Sequence, residues 1–200
     1  MAPAGNFESL QAAIDNGADS VYFGVDQLNM RARASINFTI ADLDEIARRC
    51  APKGIRTYLT LNTIIYDHDL SIIKTLLDAA KKAGLTAVIA MDQAVIAYAR
   101  QIGMEVHIST QINITNIETV RFYAMFADTM VMSRELSLRQ IKKICEQIEK
   151  EQIKGPSGNL VEVEIFGHGA LCMAVSGKCY LSLHSHNSSA NRGACKQNCR

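Results

Sequence analysis

A parallel (β/α)8, TIM-barrel-like α/β domain is the fold class this sequence predicts, and three observations predict it. Short β-rich apolar runs alternate with longer amphipathic ones along the first 168 of 200 residues, the pattern of a parallel sheet covered by helices. The short runs are apolar almost throughout, as strands buried on both faces must be. Seven strand-helix steps, counting an incomplete first, fit a barrel better than a doubly wound sheet, and no Gly-x-Gly-x-x-Gly follows an early strand to mark a dinucleotide fold.

The elements follow in order. Met1-Ala-Pro-Ala-Gly5 reads as the exit of a strand whose body would precede Met1. Strands are expected over 18–24, 55–62, 85–91, 105–110, 128–133 and 161–168, and helices over 7–16, 40–53, 70–83, 93–102, 117–126 and 138–152. Thr39 with Asp42 and Ser137 with Gln140 have capping-box spacing. Gly17, Gly54, Gly84 and Gly103 each fall just past a helix, where a left-handed residue ends the last turn. Residues 1–168 are therefore read as the barrel-like domain and 169–200 as a cysteine-rich segment after the seventh strand, with the domain expected to be truncated at both ends.

Composition bounds the function. With 48% hydrophobic and 20% charged residues the chain has ample material for one core, and a formal charge of +1 gives no global attraction to nucleic acid. No apolar run approaches the eighteen or so residues that span a bilayer, and no cationic start with an apolar run marks a secretory leader. A cytoplasmic protein that does not engage a membrane is the expectation.

The cysteines are the anomaly. Cys50 and Cys145 are alone in the first 171 residues and lie on apolar helix faces, where inert thiols are expected. Cys172, Cys179, Cys195 and Cys199 then crowd into 28 residues, separated by six, fifteen and three. Disulfides belong to oxidising compartments, so metal chemistry comes forward. Structural zinc prefers pairs two to four residues apart, which Cys195 and Cys199 satisfy and Cys172 and Cys179 do not. An iron-sulfur cluster accepts irregular spacing of its four thiolates. The spacing favours the cluster, with zinc as the alternative, helped by His184 and His186, and free thiols or disulfides behind both.

The run Glu164-x-Phe166-x-x-Gly169-Ala-Leu-Cys172-x4-Gly177-x-Cys179-x-Leu181-Ser182 resembles the signature of the collagenase-like peptidase family, peptidase family U32. Ala2-Pro-Ala-Gly-Asn6, Gly17-Ala-Asp-Ser-Val-Tyr-Phe-Gly24 and Met132-Ser-Arg-Glu-Leu-Ser137 extend the resemblance over nearly the whole chain. It implies a barrel-like N-terminal domain and two kinds of activity. The family name comes from collagen degradation, with no catalytic type assigned. Other members are oxygen-independent hydroxylases with a 4Fe-4S cluster, acting on a tRNA wobble uridine, an rRNA cytidine or the ubiquinone ring, with prephenate as the implied oxygen donor. The resemblance matches Cys172, Cys179 and Cys195 to cluster ligands and leaves two choices for the fourth, Cys199 or, as in some relatives, a cysteine further along.

In a barrel of this kind chemistry gathers where strands end, and the cysteine segment leaves the seventh strand on that rim. His168 and Arg134 are the catalytic candidates, and Arg31, Arg33, Asn62 and Gln111 the substrate-binding ones. Arginine forks suit the two carboxylates of a donor such as prephenate; His168 could protonate substrate or donate to a cluster sulfur. Each has a plainer reading: a solvated loop for the arginines, loop-backbone satisfaction for Asn62, Thr110 and Gln111, helix caps for Asp92 and Ser133, an Arg134-Glu135 ion pair, a packed histidine. Arg192, Lys196 and Arg200 offer sparse charge to an RNA backbone. Proteolysis is the competing activity, yet neither His-Glu-x-x-His nor Gly-x-Ser-x-Gly is present. RNA hydroxylation leads, ahead of proteolysis, ubiquinone-ring hydroxylation and a non-catalytic RNA-binding or scaffold role.

Overall fold

The computed structural model describes residues 1–25, 28–30, 32, 37–169 and 172–199. Its frame is one sheet of seven strands: β1 (Ala2–Pro3), β2 (Ser20–Phe23), β3 (Arg56–Leu61), β4 (Ala87–Ala90), β5 (Glu105–Ile108), β6 (Thr129–Val131) and β7 (Glu162–Glu164). They pair in chain order, every pair parallel. Each crossover is helical: α1 (Phe7–Asp15), α2 (Leu43–Cys50), α3 (Leu70–Lys82), α4 (Gln93–Gln101), α5 (Ile117–Ala124) and α6 (Leu138–Glu151). Six such crossovers in sequence curl the seven-stranded sheet into an incomplete barrel, and no β7–β1 pairing closes it among the described residues.

The two faces of the sheet carry different chemistry, because strand side chains alternate. Leu59, Leu61, Val88, Ala90, Val106, Ile108 and Met130 face the helices and join Leu10, Ile46, Ile73, Leu77, Val95, Val120 and Ile148 in the main core. The opposite residues turn inward. Tyr22, Tyr58, Ala87 and Ile89 form a small second cluster there. Beside it His107, 3% exposed, meets Glu105 Oε1 through Nε2 at 2.9 Å and lies with its ring 4.5 Å from that of Tyr58. Burial pushes the inward Glu164 carboxyl above the ordinary glutamate range.

Both capping boxes are present, at Thr39–Asp42 and Ser137–Gln140, and Asp92 caps α4 through the Ala94 N–H at 2.9 Å. The expected helix over 40–53 is instead three pieces. Short 3-10 turns at Ile40–Asp42 and Ala51–Lys53 flank Leu43–Cys50; the second falls where Pro52 has no N–H to continue the ladder and its ring opposes the carbonyl four residues back. The strands are shorter than the apolar runs because their last residues leave the ladder for loops: Thr110–Ile112 is a 3-10 turn, and the run 165–168 lies beyond β7. One helix went unforeseen, α7 (Leu181–His186), inside the cysteine-rich segment. Cys50 is fully buried and Cys145 half-buried, and desolvation raises both thiols above the ordinary cysteine range.

Candidate functional site: a cysteine strap across the barrel rim

Residues 172–199 lie over the carboxyl ends of the strands as a strap fastened at several points. The first fastening is Arg134, in the loop after β6. Its Nε and Nη2 donate to Ser176 Oγ at 3.0 and 2.7 Å, and Nη2 also donates to the Ala174 carbonyl at 3.0 Å. A longer contact, 3.4 Å, joins Nη1 to the Cys172 carbonyl. The expected Arg134–Glu135 pair does not form. Glu135 instead accepts a hydrogen bond from the Ser133 hydroxyl, and that bond holds its carboxyl below the ordinary range. Arg134 therefore spends its planar fork on the strap.

The second fastening is the turn after β5. Asn113, left-handed at φ 60°, donates from Nδ2 to the Ser176 carbonyl at 2.7 Å and to its own loop at Gln111 O. The third lies on the far side, after β3. Arg192 Nη1 donates to the Ile64 carbonyl at 2.8 Å and to Asp69 Oδ2, and its guanidinium stacks 4.7 Å from the Tyr66 ring centre. Asp69 is 4% exposed, and the Arg192 hydrogen bond holds its carboxyl below the ordinary aspartate range. Beside this pair Gly193, at φ 78°, lies so close to the Asn29 carbonyl that a Cβ there would strike it.

Under the strap is a polar network that brings two expected residues together. Asn62 Oδ1 accepts the Met30 N–H at 3.1 Å, while its Nδ2 donates to Ser109 Oγ at 3.3 Å. Ser109 in turn donates to Gln111 Oε1. Ser109 is 2% exposed, was not foreseen, and is the link between Asn62 and Gln111. Arg31 and Arg33 lie outside the described residues, although Met30 places the start of their loop on Asn62. His168 is exposed on the run leaving β7 and takes no part in the rim's hydrogen bonds among the described residues.

All six cysteines are free thiols. Cys172, Cys179 and Cys195 are half-buried and Cys199 exposed. Among the described residues no group of three or more His, Cys, Asp or Glu side chains is gathered tightly enough to hold a metal ion. The donor set fits a thiophilic centre in its chemistry: four unpaired soft thiols share one segment, and Cys195 Sγ already accepts the Gln197 N–H at 3.4 Å. Ligands of this kind commonly converge only as the ion binds.

The model of peptidase family U32 matches residues 5–200. Over 200 residues the chain is 59% identical to a protein of Porphyromonas gingivalis named collagenase, covering all of this chain and 48% of that one. It is 34% identical over 203 residues to tRNA hydroxylation protein P1 of Bacillus subtilis, again covering all of this chain and 45% of the relative. The chain thus spans about half the length of these curated relatives. The solved structure of the U32 peptidase Mk0906 superposes with a TM-score of 0.62 at 12% identity, covering 86% of this chain and 93% of that one.

Proposed function

We propose, on the footing that the chain belongs to peptidase family U32, that it carries the cysteine-ligated part of an oxygen-independent RNA hydroxylase. The observation that carries this reading is the strap. Four free thiols lie over the same rim that gathers Asn62, Ser109 and Gln111. The tRNA hydroxylation protein of Bacillus subtilis and a 23S rRNA 5-hydroxycytidine synthase of Escherichia coli, both similar over the whole chain, support an RNA substrate, with transfer and ribosomal RNA as the two classes.

Cys172, Cys179, Cys195 and Cys199 would hold a 4Fe-4S cluster, which when bound supplies one-electron chemistry at the barrel mouth; zinc is the alternative occupant. The protein's own part is positional. Arg134 and Arg192 anchor the strap's main chain at opposite sides of the rim. Asn62 and Gln111 present amide groups able to pair with a pyrimidine edge or a donor oxygen once Ser109 fixes them. Arg31 and Arg33 are the proposed holders of a dicarboxylate donor such as prephenate, since Arg134 is already committed to the strap. An anticodon-loop base arrives unstacked, so little energy is needed to present it.

The test is nucleoside analysis of RNA from a strain lacking the full-length protein. Loss of a hydroxylated pyrimidine, restored by wild-type protein and not by Cys179→Ser, is the expected result. Unchanged RNA would refute the reading.

The collagenase name of the Porphyromonas relative favours proteolysis as a second reading. A nucleophile would need a base beside it, and among the described residues neither carboxylate-paired histidine, His107 with Glu105 or His68 with Asp69, hydrogen-bonds a serine, threonine or cysteine. Gelatin cleavage by metal-free protein, surviving serine at all four strap cysteines, would establish it.

A further inference from the structure

Two cysteines sixteen positions apart are tied together by a buried amide on the Cys179 side and two serines on the Cys195 side. Asn191 is 4% exposed, and its Oδ1 accepts the Cys179 N–H at 3.2 Å. Its own carbonyl accepts the Ile64 N–H at 3.2 Å, while the neighbouring Arg192 closes the reciprocal bond to Ile64 O and pairs with Asp69. The dipeptide is therefore fixed to the loop after β3 by main chain and side chain together.

Cys195 is held from the same place. On one side of it the Ala194 carbonyl accepts the Ser188 hydroxyl at 2.7 Å. On the other the Lys196 N–H donates to Ser182 Oγ at 2.9 Å. Ser182 and Ser188, 2% and 7% exposed, belong to α7 and the turn ending it, and α7 starts two residues after Cys179. A loop that leaves at Cys179, turns through α7 and returns to Cys195 is thus closed by the Asn191 amide at its base. An amide that is buried and committed to a backbone N–H gives rigidity more than surface chemistry.

We infer that Asn191 is a positioning residue for a thiolate-held centre: it fixes the main chain of Cys179 against that of Cys195, and Arg192–Asp69 ties the pair to the barrel rim. This rests on the cluster reading under Proposed function. Cys172 and Cys199 lie outside this closed loop, so Asn191 governs the Cys179–Cys195 half of the site.

The test is anaerobic reconstitution of the full-length protein with ferrous iron and sulfide, comparing wild type with Asn191→Ala and Asn191→Asp. The aspartate keeps an acceptor oxygen at the same place. Wild type is expected to hold about four irons and four sulfides per chain. Asn191→Ala is expected to lose iron to a chelator about fivefold to tenfold faster, as removal of one buried hydrogen bond implies. Its reduced-state electron paramagnetic resonance signal should shift, while far-ultraviolet circular dichroism of the metal-free protein stays unchanged. Asn191→Asp should return iron retention toward wild type.

If wild type holds iron and Asn191→Ala matches it in retention and spectrum, the positioning role is wrong and the cluster reading stands. The same follows if both variants are equally defective, because the acceptor oxygen is then not what matters. A wild type that assembles no iron and sulfide removes the cluster reading and this inference together.

Discussion

Replacing Arg134 with Met keeps an unbranched apolar stem and removes the fork. In the structure that fork makes three contacts of 2.7 to 3.0 Å on two acceptors, Ser176 Oγ and Ala174 O; the 3.4 Å contact to Cys172 O is too long to count for much. Hydrogen bonds to a charged group contribute about 1.5–3 kcal/mol each where water is excluded. Arg134 is only half-buried, so the low end applies, and about 2–3 kcal/mol is the expected loss for the two acceptors together. At 1.4 kcal/mol per factor of ten, local opening of the strap rises roughly 30- to 150-fold. The readout is amide hydrogen exchange at Lys178, whose N–H bonds to Val175 O at 3.1 Å within the fastened turn. Exchange there should accelerate by that factor while the β3 and β4 amides stay unchanged, since a surface segment opens independently of the core. Arg134→Lys should fall between, keeping the charge without the fork. Unchanged exchange at Lys178 would refute the fastening. Equal acceleration throughout the sheet would show that Arg134 supports the barrel and not the strap.

Three other outcomes follow from the same geometry. Gly193→Ala places a Cβ against the Asn29 carbonyl in a left-handed backbone; about 1–3 kcal/mol of strain should surface as faster exchange at the Gly193 and Lys196 amides. Asp69 has its carboxyl held low by Arg192. Its contribution is present above the ordinary aspartate value, about 3.9, and is lost as pH falls through the lower folded value. The strap's protection should therefore weaken in acid, and Asp69→Asn, already lacking the charge, should show little such dependence. Glu164 runs the other way. Its carboxyl is raised by burial, so stability falls as pH climbs from the ordinary glutamate value through the raised one. Glu164→Gln should flatten that slope and raise the denaturant midpoint at neutral pH.

How much could be read from the sequence depended on the range over which each feature is written. The crossover helices were legible because amphipathic periods, Ser137 with Gln140 and the post-helix glycines are local signals. The break at Pro52 was equally local, and proline's missing donor was available to signal it. The six-residue helix at Leu181–His186 was not legible: Leu-Ser-Leu-His-Ser-His has too few turns for a period to show. Asn62 and Gln111 were reached by asking what ends a strand, but their link, Ser109, is a small residue with no motif of its own. Asn191 and the direction of Arg134 were illegible because their partners lie far away in sequence. Arg192 reaches Asp69 across 123 positions and Arg134 reaches Ala174 across 40, so only folding brings those groups together. The chain did carry one local hint: the Asn191-Arg192-Gly193 run just before Cys195 joins a hydrogen-bonding amide, a fork and a residue free to turn left-handed.

Arg134 grips the strap chiefly through a carbonyl and a small hydroxyl, and Asn113 holds Ser176 by its carbonyl. Carbonyls are supplied by every amino acid alike. Positions 173–175 can consequently change identity without loosening the attachment, so redesign there alters the surface the segment presents while leaving its path intact. Met173 and Val175 are both turned to solvent, so their side chains can be exchanged with the segment still fastened.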